Sequence, residues 1–151
     1  MFALRPAGPA DFPAVFPRTR ALNDHEGISI ADEVLAAALQ KLLADPGLGG
    51  VWLVEQSGAP VGYAIATFSY DLEFGGRDAY LTELWIDPEA RGQGAGRAAL
   101  DLLEPELRAR DVQALHLQVR PDNPAARLYE RAGFVTSPRR IMTRRWPTSA
   151  P

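Results

Sequence analysis

The sequence predicts a single α/β domain, a mixed sheet covered by helices with a parallel pair near its middle. Three observations carry this prediction. The chain has 151 residues, the length of one domain able to bury a core without staples. Its hydrophobic and charged fractions, 46% and 23%, are those of an ordinary globular protein. Its elements mix hairpins with one strand–helix–strand crossover, and such a crossover joins parallel strands. The domain is expected over residues 1–147, with a loose tail over 148–151.

Taken in order, Phe2 to Arg5 alternates like a short strand ended by Pro6. Residues 10–23 read as helical, with Pro13 and Pro17 expected to fragment or kink the segment. Ile30 to Ala44 is the clearer helix. Asp32 and Glu33 open it, Val34, Leu35, Ala38, Leu39, Leu42 and Leu43 form its apolar stripe, and Pro46-Gly47 ends it. Val51 to Gln56 and Pro60 to Tyr70 read as strands joined at Ser57-Gly58-Ala59, a hairpin signal. Asp71 to Arg77 is a polar, glycine-containing loop, and Tyr80 to Asp87 a strand stopped by Pro88. Gly94 to Arg110 is an amphipathic helix with Leu100, Leu103 and Leu107 inward and Pro105 expected to bend it. Ala114 to Val119 reads as a strand, Pro124 to Ala132 as a short helix closed by Gly133, and Arg140 to Trp146 as a last strand.

Composition narrows the chemistry. Cysteine is absent, which excludes disulfides, thiolate zinc sites, iron–sulfur clusters and cysteine nucleophiles. The two histidines, His25 and His116, lie far apart in sequence, so no metal is expected. A net charge of −3 argues against a nucleic-acid partner. The charge is uneven: residues 1–87 carry 5 basic and 12 acidic side chains, and residues 88–151 carry 11 and 7. The resulting −7 and +4 suggest an anion handled by the second half and a cation by the first, or a chance distribution of surface charge. The N-terminus has no apolar signal region, and no apolar run approaches the roughly 20 residues that span a bilayer. A cytoplasmic protein with no membrane partner is the expectation.

The most informative segment is Arg91-Gly92-Gln93-Gly94-Ala95-Gly96, between the strand ending at Asp87 and the helix beginning near Gly94. Glycines let the backbone approach a ligand and aim several N–H groups at it, and a helix N-terminus adds partial positive charge. Arg91 beside it suits bidentate phosphate contact. The combination points to pyrophosphate. A Walker A loop is excluded, because no Gly-Lys-Ser/Thr closes the run. Gly94-Ala95-Gly96-Arg97-Ala98-Ala99 satisfies G-x-G-x-x-A, but Arg120-Pro121 stands where a dinucleotide site needs an acidic residue for the ribose. A tight glycine turn without a ligand is the remaining alternative.

Strand, then Asp87-Pro88-Glu89-Ala90-Arg91-Gly92-Gln93-Gly94-Ala95-Gly96, then helix, resembles the acetyl-CoA signature Arg/Gln-x-x-Gly-x-Gly/Ala of the GCN5-related N-acetyltransferase (GNAT) superfamily. About 27 residues beyond Gly96, the run from Asn123 through Tyr129 to Gly133-Phe134 is similar to that family's second signature, with Tyr129 one place early. The resemblance implies a mostly antiparallel sheet with helices on both faces, splayed between the strands at Tyr80–Asp87 and Ala114–Val119. It implies acetyl-CoA as donor, with the backbone at Leu84 and Ile86 pairing with its pantetheine arm. Arg91, Gly92 and the amides of Gln93, Gly94, Ala95, Gly96 and Arg97 would hold the pyrophosphate, and Asn123 would touch the cofactor. The sequence departs from the family pattern at Asp111, where a glycine commonly ends the helix, and at Pro105 before it.

Amine acetylation needs two proton transfers. An alkylammonium with a pKa near ~10.4 must lose a proton, and the departing thiolate benefits from gaining one. Tyr129 is the family-aligned acid, or else a core aromatic. Asn123 before Pro124 also reads as a helix cap. Glu83 lies in the strand that family members use to present a carboxylate base. By period two it shares a face with Leu81 and Trp85, where burial would raise its pKa; the alternative is an ordinary carboxylate paired with an arginine. Glu73 and Glu26, with Asp71 and His25, lie in loops expected near the acceptor and would bind a cationic amine, or are simply solvated. His116 alternates away from Leu115, Leu117 and Val119 and reads as a surface histidine. The function implied is acyl-CoA-dependent transfer to a primary amine by direct attack in a ternary complex, since no cysteine is present to form the commonest acyl-enzyme. The alternative is a catalytically silent CoA-binding sensor or interaction module. The acceptor stays open between small molecules and protein amino groups, as does a second copy of the chain as partner.

Overall fold

The computed structural model describes residues 1–147; the expected tail over 148–151 lies outside the described residues. The elements are β1 (Phe2–Pro6), α1 (Phe12–His25), α2 (Asp32–Ala44), β2 (Gly49–Gln56), β3 (Ala59–Asp71), β4 (Gly76–Ile86), α3 (Ala95–Arg108), β5 (Leu115–His116) and α4 (Ala125–Arg131). The strands form one sheet in chain order, β1 to β5. The first three pairings are antiparallel and β4–β5 is parallel. That is the mixed, mostly antiparallel sheet expected, with α3 as the right length of crossover for the parallel pair. The parallel pair, however, lies at the edge of the sheet and not near its middle, because no strand forms beyond β5 among the described residues.

Two apolar layers hold the sheet. On one face, Val15 of α1 and Leu39 and Leu43 of α2 pack on Val51, Leu53, Tyr63 and Ile65. On the other, Leu100, Leu103 and Leu107 of α3 pack on Trp52, Ala64, Ala66, Ala79 and Leu81. Alternate residues of β2 and β3 thus feed opposite layers, as strand geometry requires. Leu128 and Tyr129 of α4 extend the α3 layer.

Several expectations are corrected. Residues 12–25 form one unbroken helix, with Pro13 in its first turn and Pro17 inside; Pro17 deletes a single early bond, which the packed face at Val15 outweighs. The α2 stripe is narrower than expected, because Val34 and Ala38 are exposed while Leu35, Leu39 and Leu43 are buried. The segment 71–77 is not all loop: a 3₁₀ turn spans Leu72–Phe74, and β4 begins at Gly76. The expected strand over 114–119 shortens to Leu115–His116, because its ladder with β4 stops there. No strand forms over 140–146; Ile141, Met142 and Trp146 are exposed instead. β-propensity alone does not make a strand without a partner edge to pair with. No helix among the described residues is long and apolar enough to cross a membrane.

Candidate active site

The short ladder positions the site. β4 and β5 pair only at Ala79–Leu115 and Tyr80–His116. Beyond those residues the strands part, and a cleft of about 1270 Å³ opens between Leu81–Ile86 and Leu117–Arg120. The start of α3 and the face of α4 wall one side, and His25 and Glu26 at the end of α1 wall the other.

Glu83 reaches this cleft by a register irregularity. Ile65 pairs with Glu83 but Ala66 pairs with Leu81, leaving Thr82 as an extra residue in β4. The bulge reverses the alternation, so Leu81 lies in the α3 layer while Ile65 and Trp85 lie in the α1–α2 layer. Glu83 therefore shares a face with Trp85 but not with Leu81, correcting the period-two expectation. Tyr63, opposite Trp85 on β3, donates its hydroxyl to Glu83 Oε1 at 2.6 Å. Burial pushes the Glu83 carboxyl above the ordinary range, and the Tyr63 hydrogen bond partly offsets this by favouring the anion. No arginine pairs with Glu83 among the described residues, so the ordinary ion-paired carboxylate is not what the structure shows. Tyr63 is the residue that the sequence reading missed; its only sequence signal is a tyrosine in a central strand, whose partner depends on cross-strand register.

Across the cleft, Gly92 and Gly94 hold φ values of 77° and 86°. This left-handed backbone turns the chain into α3, whose N-cap Gly94 supplies no side-chain bond to the first turn. The first bond back to Gly94 comes from Ala98, so the amides of Ala95, Gly96 and Arg97 are helix-start donors free for a ligand. Gly96 is also a packing glycine: a Cβ there would stand 3.1 Å from Leu128 of α4. The Arg91 guanidinium lies 4.7 Å from the Trp85 ring centroid, and its Nε donates to the Ile86 carbonyl at 2.8 Å. Gln93 is exposed and accepts a hydrogen bond from Gln56 Nε2. Arg97 is tied to Asp101 and to the Arg131 carbonyl.

Of the remaining expected residues, Leu84, Ile86, Asn123 and Tyr129 line the cleft with Glu26. Asn123 accepts the Ala125 amide at 2.9 Å, which is the capping role. Tyr129 packs edge-on to Phe134 and also lines the cleft. Burial first, and the charge of Glu26 second, push its phenol up, keeping it protonated and a donor. Glu73 is not brought to the cleft: it is paired with Arg139 at 2.8 Å on an exposed turn. His116 is not a plain surface histidine, since its ring bonds the buried Asp78. Asp111, at the glycine position of the family pattern, adopts φ 61° and closes α3 as a glycine would. No cluster of metal-ligating side chains occurs among the described residues.

The sequence and the fold are similar to those of known proteins. The Acetyltransferase (GNAT) family profile matches residues 17–134. The chain is 40% identical over 80 residues to the ribosomal protein bS18-alanine N-acetyltransferase of Escherichia coli K12, covering 52% of this chain and 50% of that protein. It is 36% identical over 131 residues to the mycothiol acetyltransferase of Thermobispora bispora, covering 83% of this chain and 43% of that protein. The chain thus spans about half the length of the curated relatives it matches. An integron cassette protein from the mobile metagenome of Cole Harbour Salt Marsh superimposes with a TM-score of 0.83 at 27% identity, over 98% of this chain and 91% of that one.

Proposed function

Because the chain belongs to the acetyltransferase (GNAT) family, we propose that it transfers an acetyl group from acetyl-CoA to a primary amine by direct attack in a ternary complex. One observation carries the reading: free helix-start amides behind left-handed glycines open on the same cleft as a half-buried carboxylate and a protonated phenol. The amides of Ala95 to Arg97, with the surrounding arginines, offer donors to a pyrophosphate. The pantetheine arm runs along the unpaired edge of β4 at Leu84 and Ile86 toward Glu83. Since Arg91 Nε holds the Ile86 carbonyl, its guanidinium turns outward when that edge is taken up by the cofactor.

The chain's own groups then divide the proton work. Glu83, raised by burial, takes the proton of the acceptor ammonium, directly or through one water. The free amine forms a C–N bond to the acetyl carbon, the C–S bond breaks, and the thiolate of CoA leaves with the Tyr129 proton. The nitrogen sheds its second proton to water as the amide forms, Tyr129 is reprotonated from that water, Glu83 releases its proton to solvent, and the amide product departs. Glu26 lies on the acceptor side, where it attracts a cation. By their names one relative is an N-acetyltransferase of a ribosomal-protein alanine and the other a mycothiol acetyltransferase, and a protein or a small-molecule amine suits this cleft. Thiol release from acetyl-CoA over a panel of amines tests the reading. Turnover with at least one amine supports it; CoA binding without turnover of any amine would make the chain a silent binding module.

A further inference from the structure

The α1–α2 face of the sheet carries a second group of side chains outside the transfer chemistry. Asp78 of β4 is 3% exposed. Its Oδ1 accepts the Ser69 hydroxyl at 2.6 Å, and its Oδ2 lies 2.9 Å from His116 Nε2 on β5. A carboxylate only accepts, so Nε2 carries the hydrogen and the lone pair of the neutral ring sits on Nδ1. Nδ1 has no hydrogen-bond partner among the described residues, and no buried side-chain nitrogen is left unpaired, so Nδ1 meets solvent. Phe74 and Tyr80 flank the imidazole, each ring centroid 4.9 Å away. Both rings are partly exposed, and Tyr80 also lines the cleft that holds Glu83.

The chemistry of this group is binding rather than bond-making. Ser69 donates to Asp78 and not to His116, so the three form no nucleophilic triad. The Asp78 charge is met by a hydroxyl and an imidazole, with no lysine or arginine paired to it. The nearby Glu73 and Arg139 neutralise each other. A negative charge beneath an outward lone pair, between two aromatic rings, suits an N–H cation. The bulge at Thr82 puts Glu83 on the same face as Asp78 and Tyr80. Because Tyr80, Asp78 and Glu83 stand opposite Thr67, Ser69 and Ile65, the strand sets Tyr80 about 7 Å and Asp78 about 13 Å from Glu83.

We infer that Asp78 and His116, with Phe74 and Tyr80, form a station for the distal ammonium of an acceptor whose other amino group is acetylated beside Glu83. This rests on the transfer reading above. The probes are octamethylenediamine, whose extended ends reach between those two spacings, and octylamine, which lacks the second ammonium. The diamine is expected to have a KM lower by about fivefold or more, and His116→Gln and Asp78→Asn each to bring the two KM values together. Glu83→Gln instead lowers kcat with both probes. Because only His25 and His116 supply imidazole signals, titration of the unacetylated protein by NMR reads the station without turnover: the diamine shifts His116 and octylamine does not. Equal KM values in the wild type, equal losses with both probes in the variants, or an unmoved His116 signal would each overturn the station. Absence of thiol release with every amine, alongside a diamine shift at His116, would overturn the transfer reading and leave the station standing.

Discussion

A carboxyl group taken out of water holds its proton to higher pH, and Glu83 is such a group, with Tyr63 as its one charge-favouring partner. In the proposed role of base it works only when ionised, so kcat/KM is expected to fall as pH drops through a value above the ordinary carboxylate range. Glu83→Gln removes that limb and lowers kcat by roughly 10²- to 10⁴-fold, measured by steady-state kinetics across pH. The same shift has a stability consequence. A carboxyl whose folded pKa exceeds its unfolded value favours the fold below the unfolded pKa, and this contribution is lost as pH rises through the folded one. At neutral pH the ionised Glu83 therefore opposes folding, and Glu83→Gln is expected to raise Tm there while leaving it little changed in acid. A variant that loses activity without gaining thermal stability would place the charge elsewhere. Tyr63→Phe keeps the ring and deletes the donor, so the acidic limb is expected to move to higher pH with acetyl-CoA KM unaltered. If the limb stays where it was, Tyr63 packs and does not position the base.

At the scale of elements, the loop before α3 was legible because its chemistry is written in consecutive residues: glycines for left-handed turns, then a helix start. The bulge in β4 was not, since Leu81, Thr82 and Glu83 alternate like any strand and only the pairing with Ile65 and Ala66 places the extra residue. The two-residue length of β5 was hidden for the same reason, a strand being defined by its partner. Gly94 offers the cleaner test of the loop, because Gly96 also packs against Leu128. A Cβ at Gly94 meets nothing within 4 Å, but φ there is 86°, so Gly94→Ala costs about 1–2 kcal/mol or reshapes the turn. Its expected outcome is a folded protein with CoA affinity reduced at least about tenfold, read by calorimetry; unchanged affinity would remove the loop from the pyrophosphate site. At the other end of α3, Asp111 sits at φ 61° and the Val112 amide returns to the Leu107 carbonyl. Glycine relieves that backbone, so Asp111→Gly is expected to stabilise the fold by up to about 1 kcal/mol in urea unfolding. A loss of stability would show that Asp111 does more at that turn than tolerate it.

Over the whole molecule, the division of charge along the chain becomes a division across the cleft. The acidic first half contributes Glu26 and Glu83 to the cleft, and the basic second half contributes Arg91, Arg97, Arg120 and Arg131 around the start of α3 and the face of α4. This much of the site was readable from a charge count joined to a glycine loop; which carboxylates face the cleft was not, because Glu73 turns away to Arg139 and only the fold decides that. A cleft with two polarities attracts an anionic donor and a cationic acceptor through fields that salt screens over about 30 Å at 0.01 M and about 3 Å at 1 M. On the proposed reading the chemical step follows the docking of both, between groups shielded from bulk ions. Raising ionic strength is therefore expected to raise the KM of acetyl-CoA and of a cationic amine together, while kcat holds. Arg97→Ala should flatten the salt dependence of the donor and spare that of the acceptor, and Glu26→Gln should do the reverse. Steady-state kinetics at low and high salt on the wild type and both variants measures this; salt curves that either variant leaves unchanged would mean that the two charges steer nothing.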